Sequence, residues 1–100
     1  MTPVLADCSG FVYVVQADNG LVKIGRTKNF ERRFKQLLRL PYPLTVVAVW
    51  PCEDAVQVEA DKHWFWSDVR KQGEWFDIPG EHLQFYRESS GEYIAKDDDE

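Results

Sequence analysis

The residues of this chain best equipped for chemistry are a tyrosine, a block of cations and a helix carboxylate. Tyr13 stands in the run FVYVVQA, Lys23, Gly25 and Arg26 in LVKIGR, and Arg32 and Arg33 in NFERRFKQLL. Glu59 and His63 lie in AVQVEADKHWF, at i and i+4. From Leu21 to Leu40 seven basic residues (Lys23, Arg26, Lys28, Arg32, Arg33, Lys35 and Arg39) face one acid, Glu31. The whole chain has 12 Lys/Arg and 17 Asp/Glu, which leaves five basic and sixteen acidic residues elsewhere. A net charge of −5 excludes a bulk coat for nucleic acid. It leaves room for one phosphate site, because at modest salt a phosphate responds only to charges within about 10 Å.

Each of these residues has a sharp reading and a plain one. Arg33 offers five donors in a rigid fork that suits phosphate oxygens, and otherwise closes a structural ion pair. Glu59 can hold Mg²⁺, which binds through one or two carboxylates plus waters and substrate phosphate, or it is one more acid on a solvated helix face. His63, on the side of Glu59, positions a phosphate or a water, or merely hydrogen-bonds at the helix surface; spacing does not separate these. A phenol of pKa near 10 accepts a proton only where cations stabilise its phenolate, and a cation shares the face of Tyr13.

These residues need elements to position them. Phe11–Ala17 reads as a strand, Asp18-Asn19-Gly20 as a hairpin turn and Leu21–Arg26 as an antiparallel second strand. A three-residue loop sets Tyr13 opposite Gly25 on the face of Lys23; a two-residue turn at Asn19-Gly20 sets it opposite Arg26. Asn29 is a good N-cap, and Phe30, Phe34, Leu37 and Leu38 form the buried stripe of a first helix, with Arg33 at its edge. Pro41 and Pro43 stop that helix. Leu44–Trp50 is a strand apolar enough to be central, ended by Pro51. Residues 53–70 read as a second helix with Glu59, His63 and Trp66 on one side, which Gly73 breaks. EWFDI is then a short extended segment, and Glu81–Glu88 a last helix. The sum is an α+β fold: a small single-domain sandwich with a central three-stranded antiparallel sheet flanked by helices. Residues 1–10 form a lead-in, 11–90 the domain and 91–100 an acidic tail ending in KDDDE.

One hundred residues, 44% hydrophobic and 14% aromatic, suffice for one core. No apolar run reaches the roughly 20 residues that span a bilayer, and the amino terminus lacks a secretory pattern. Cys8 and Cys52 fit no metal spacing and read as free thiols of a cytoplasmic protein.

Phe11-Val12-Tyr13, then Lys23-Ile24-Gly25 opening ten positions after Tyr13, then RTKNFERRFKQL, resembles the GIY-YIG nuclease superfamily. The likeness is closer to its short bacteriophage T5-type branch, whose second triplet commonly reads KIG. Glu59 to His63 as ExxxH, Arg70 and Gly73-Glu74-Trp75-Phe76 extend it over about residues 11–78. The chain departs from the pattern with FVY for GIY, with Leu37 where some homing members carry a histidine, and with Lys62 where this branch has an apolar residue.

The resemblance implies the GIY-YIG fold and a divalent-metal-dependent endonuclease that hydrolyses DNA, with Mg²⁺ or Mn²⁺ as cofactor. Tyr13 takes the place of the general base or water-positioning tyrosine, its pKa lowered by Lys23 and Arg26. Gly25 closes the second triplet, where a side chain would obstruct the site. Arg33 grips the scissile phosphate and Glu59 holds the metal. Lys23 replaces the second tyrosine, which favours the three-residue loop, and Arg26 stands where some members carry a catalytic lysine. Lys28, Arg32 and His63 join Gly25 as substrate contacts. DNA is the expected partner, RNA is not separated from it, and targeting falls to a partner protein or a homodimer. Two rivals remain: a non-catalytic nucleic-acid-binding or adaptor module on the same scaffold, and a protein-interaction module that uses the Trp-rich second helix and the acidic tail.

Overall fold

The structure, a computed structural model, describes residues 8–41 and 43–95. Its elements in chain order are β1 (Gly10–Ala17), β2 (Val22–Thr27), α1 (Phe30–Leu37), β3 (Leu44–Cys52), α2 (Ala55–Phe65), β4 (Arg70–Gln72), β5 (Trp75–Phe76) and α3 (Gly80–Ser89). The strands form one antiparallel sheet in the order β3-β1-β2-β5-β4. The expected three-stranded sheet is its β3-β1-β2 part; β5 and β4 extend it to five.

β1, not β3, is the middle strand of that trio, and its residues from Val12 to Val15 are buried on both faces. Val12 and Val14 face one way and Tyr13 and Val15 the other, all at most 1% exposed. β3 is at the sheet edge, although it reads as central. Its apolarity answers two covered faces, and an edge strand is where Pro51 is accommodated without ending the strand. A register shift where Val14–Val15 meet Ala48 and Val46 leaves Val47 as an extra residue. That bulge lets Val46 and Val49 face one side while Val47, Ala48 and Trp50 face the other.

The two faces carry separate cores. On one, Leu37 and Phe30 of α1 pack on Tyr13, Val15, Leu44, Val46 and Val49, all from β1 and β3. On the other, α2 and α3 cover Val12, Val14, Val22, Ile24 and Trp50, with Trp66, Leu83 and Tyr86 in the same cluster. Lys62 keeps the apolar character of its position by laying its ammonium over the rings of Trp50 and Tyr86, at 4.5 and 4.8 Å.

The second helix is shorter than the expected 53–70. The Asp54 carboxylate accepts from the Gln57 amide (3.2 Å) and starts it, and at Phe65 it gives way to a single 3-10 turn, Ser67–Val69. The Trp66 indole donates to the Tyr86 hydroxyl at 3.0 Å, which pins the helix end to α3. Arg70–Gln72 then turns at Gly73 (φ 57°) and pairs with β5. Helical periodicity carries no trace of that hairpin, because its hydrogen bonds come from residues on the far side of the turn.

Of the segment assigned to the tail, the Gly91 amide donates to the Val49 carbonyl (2.7 Å) and Ile94 bridges Cys52 in parallel. Residues 96–100, including KDDDE, lie outside the described residues, as do residues 1–7 of the lead-in. Cys8 and Cys52 are free thiols. Among the described residues no helix is long and apolar enough to cross a membrane.

Candidate active site

The site begins with the hairpin register. The Ala17 amide donates to the Leu21 carbonyl (2.9 Å), and Asn19 Oδ1 accepts from the Leu21 amide (2.9 Å). Gly20 adopts φ 92°, so the loop is the three-residue one and Tyr13 pairs with Gly25. A Cβ built at Gly25 would stand 2.5 Å from the Tyr13 hydroxyl oxygen and 2.6 Å from its Cζ. The glycine is therefore required by the phenol that lies across it. This is a nearer cause than the expected one, a cleared path for substrate.

α1 brings the cation to this phenol. Thr27 Oγ1 accepts from the Asn29 amide (3.2 Å), and Asn29 Oδ1 accepts from the Arg32 amide (3.0 Å), which fixes the step from β2 into the helix. Phe30 then packs 6.2 Å from the Tyr13 ring and 5.6 Å from Phe34. Arg33, half-buried, is held so that its guanidinium acts on the Tyr13 hydroxyl. Burial is the main influence on that hydroxyl and raises its pKa. Arg33 pulls it down through its charge and its hydrogen bond, while the carboxylates of Glu74 and Glu59 push it up. The expected lowering by Lys23 and Arg26 is not what the fold produces. Tyr13 is 1% exposed, and the cation that reaches it is Arg33.

Lys23 and Arg26 are committed elsewhere. Lys23 Nζ lies 3.8 Å from a carboxylate oxygen of Glu74. Arg26 Nε donates to Glu59 Oε1 at 3.0 Å. Glu59 and His63 reach β2 because α2 is tacked down at its start: Ser9 Oγ accepts from the Ala55 amide (2.9 Å), and Asp54 caps the helix. His63 Nε2 is 2.8 Å from the Ile24 carbonyl oxygen and 4.0 Å from Glu59 Oε2. A carbonyl only accepts, so Nε2 carries the proton. β5 pairs with β2 only at Val22 and Lys23, and His63 takes the Ile24 carbonyl just beyond that pairing.

Tyr13 with Arg33 thus lies at Gly25 on one face of β2, and Arg26 with Glu59 and His63 lies at the flanking positions toward α2, close enough for the Glu59 charge to act on the Tyr13 hydroxyl. Lys28 and Arg32 are exposed, and neither forms an ion pair among the described residues. The role of Glu74 was not legible as a site role. Its signal was the run Gly73-Glu74-Trp75-Phe76, and only the pairing of β5 with β2 carries it to Lys23.

The donor set suits one kind of metal. Among the described residues no group of three or more His, Cys, Asp or Glu could hold an ion. A protonated His63 Nε2 offers no lone pair toward Glu59. What remains is one carboxylate, 17% exposed, with Oε2 carrying no hydrogen bond shorter than its 4.0 Å approach to His63. That fits a hard cation that keeps most of its waters, such as Mg²⁺ or Mn²⁺, and does not fit zinc.

If the site cleaved phosphodiesters with Tyr13 as a phenolate base, the cleavage rate would climb about tenfold per pH unit across the neutral range, and Tyr13→Phe would abolish that slope. Because burial raises its pKa, the expected result is different. Tyr13→Phe should lower the rate by about 10²-fold and leave the shape of the pH profile unchanged. A slope present in the wild type and lost in the variant would restore the base.

The sequence profile of the T5orf172 domain matches residues 10–89. The chain is also 33% identical over 84 residues to "Putative KilA-N domain-containing protein 315L" of Invertebrate iridescent virus 6. That alignment covers 76% of this chain and 36% of the viral protein, so the chain spans about a third of its relative's length. No solved structure matches significantly. With most of its length, from the first strand through the last helix, inside one phage-type domain, the chain belongs to the T5orf172 domain family.

Proposed function

We propose that the chain is a divalent-metal-dependent endonuclease that hydrolyses DNA phosphodiester bonds at a GIY-YIG-type site. The observation that supports this most is the placing of two groups along Ile24-Gly25-Arg26: Tyr13 under the influence of Arg33 and Glu59, and Glu59 bonded to Arg26 at 3.0 Å beside His63. The DNA-binding or nuclease-like character of the T5orf172 family points the same way.

In this reading Arg33 stabilises charge that develops on the scissile phosphate. Tyr13 works as a neutral hydroxyl that accepts from Arg33 and orients the attacking water. Glu59 would hold the Mg²⁺ or Mn²⁺ ion, which when bound supplies a Lewis acid for the leaving oxygen. Arg26 then exchanges Glu59 for the DNA backbone. Lys23, Lys28 and Arg32 add backbone contacts that position the strand without reading its sequence. A domain of this size makes few base contacts, so a further domain, a partner or a second copy supplies the target.

A second reading, a non-catalytic nucleic-acid-binding module, draws on the occupied Glu59 Oε1, which needs no metal to be satisfied. The test is supercoiled plasmid with Mg²⁺ or Mn²⁺, with EDTA as control. Nicking that stops in EDTA is the expected result. Salt-sensitive binding with no nicking in either ion would sink the nuclease and leave the binding module.

A further inference from the structure

The face of the sheet that carries Tyr13 is only half covered. α1 packs on residues of β1 and β3, and no residue of β2, β4 or β5 belongs to that cluster. Cross-strand partners share a face, so the pairs Val15↔Lys23, Lys23↔Trp75 and Gln72↔Trp75 set Lys23, Trp75 and Gln72 in one row on the uncovered half. The row beside it is Tyr13↔Gly25.

Trp75 is half-buried and lines two hollows. One, of about 440 Å³, also has Asp18, Asn19, Lys71 and Gln72 in its wall. The other, of about 560 Å³, has Lys23, Gln72 and Glu74. An indole lining two such hollows, with an ammonium on each side, has the make-up of a stacking platform for nucleobases. Aromatic side chains supply the stacking and cations track the phosphates, while the amide of Gln72 and the rim carboxylates of Asp18 and Glu74 can meet base edges.

We propose that Trp75 is the stacking platform for an unpaired nucleobase next to the phosphate held by Arg33, and that it gives the site a preference for single-stranded or locally opened DNA. A paired base has its faces inside the duplex stack and cannot use this platform. The inference rests on the reading of the neighbouring site as one that acts on nucleic acid.

The experiment is fluorescence anisotropy of a labelled single-stranded oligonucleotide and of its duplex, in EDTA so that neither is cut. Base–aromatic stacking is worth about 1–3 kcal/mol, so Trp75→Ala should weaken single-strand binding about 5- to 150-fold. Duplex binding and the salt slope should stay unchanged, because no phosphate contact is lost. Trp75→Phe keeps an apolar ring and the local packing. It should retain most of the affinity while removing the tryptophan quenching that the oligonucleotide causes in the wild type. Undiminished quenching in Trp75→Phe, or equal loss for single strand and duplex in Trp75→Ala, would overturn the platform. The two proposals fail separately. Metal-dependent nicking with single-strand binding indifferent to Trp75 removes the platform and keeps the nuclease. Trp75-dependent single-strand binding without nicking does the reverse.

Discussion

Glu59→Gln should give a folded protein that lacks the proposed DNA cleavage. The amide oxygen of Gln still accepts from Arg26 Nε, which now donates to Glu59 Oε1 at 3.0 Å. With Arg26 48% exposed, the pair contributes about 0–1 kcal/mol to stability, and the melting temperature should fall by no more than a few degrees. In the proposed reaction the lost carboxylate charge matters far more. A metal that stabilises the transition state supplies several kcal/mol, and at about 1.4 kcal/mol per factor of ten its loss costs about 10³-fold in rate. Nicking assays, thermal melts and Mn²⁺ titration calorimetry on both proteins check this. Cleavage within about tenfold of the wild type would remove Glu59 from the metal site.

Gly25→Ala should damage both the fold and the reaction, through Tyr13. The new Cβ would meet the Tyr13 hydroxyl oxygen at 2.5 Å, Cζ at 2.6 Å and Cε2 at 3.1 Å. The ring cannot swing aside cheaply, because it is 1% exposed and packs 6.2 Å from Phe30. Overpacking of this kind costs about 1–3 kcal/mol, which lowers the melting temperature by about 4–8 °C per kcal/mol in a domain of this size. A displacement of about 1 Å at a positioning group costs about 10²-fold in rate. The double variant Gly25→Ala/Tyr13→Phe removes the closest contact. It should regain part of the stability and none of the activity, and this coupling marks the two residues as neighbours. A Gly25→Ala protein as stable and as active as the wild type would mean that the phenol does not lie across this glycine.

The first half of the fold was readable because its signals are local. Asn29 as a helix cap, the stripe of Phe30, Phe34 and Leu37, and the turn at Asp18-Asn19-Gly20 each rest on residues within a few positions of one another. The hairpin left two registers open, and the close approach of Tyr13 to Gly25 belongs to the three-residue loop. The second half was misjudged where the cause was distant. Helical periodicity ran on to residue 70, while Trp66 bonds to Tyr86, twenty positions away, and ends the helix. β3 reads as central because both its faces are covered, and no count of apolar residues distinguishes two covered faces from two neighbouring strands.

The candidate site divides along the same line. The types and spacing of Tyr13, Lys23, Arg26, Arg33 and Glu59 were enough to mark out a set of cations with a phenol and a carboxylate, and so to expect a phosphate site. Which cation serves which acid was settled only by packing. Burial raises the Tyr13 pKa, α1 delivers Arg33 to its hydroxyl, α2 gives Glu59 to Arg26, and β5 gives Glu74 to Lys23. Sequence thus determined which reactive groups the chain holds, since residue type and near-neighbour periodicity are properties of the chain itself. Tertiary structure decided the pairings and the direction in which the Tyr13 pKa moves, because these depend on distances and dielectric between segments that the chain brings together only on folding.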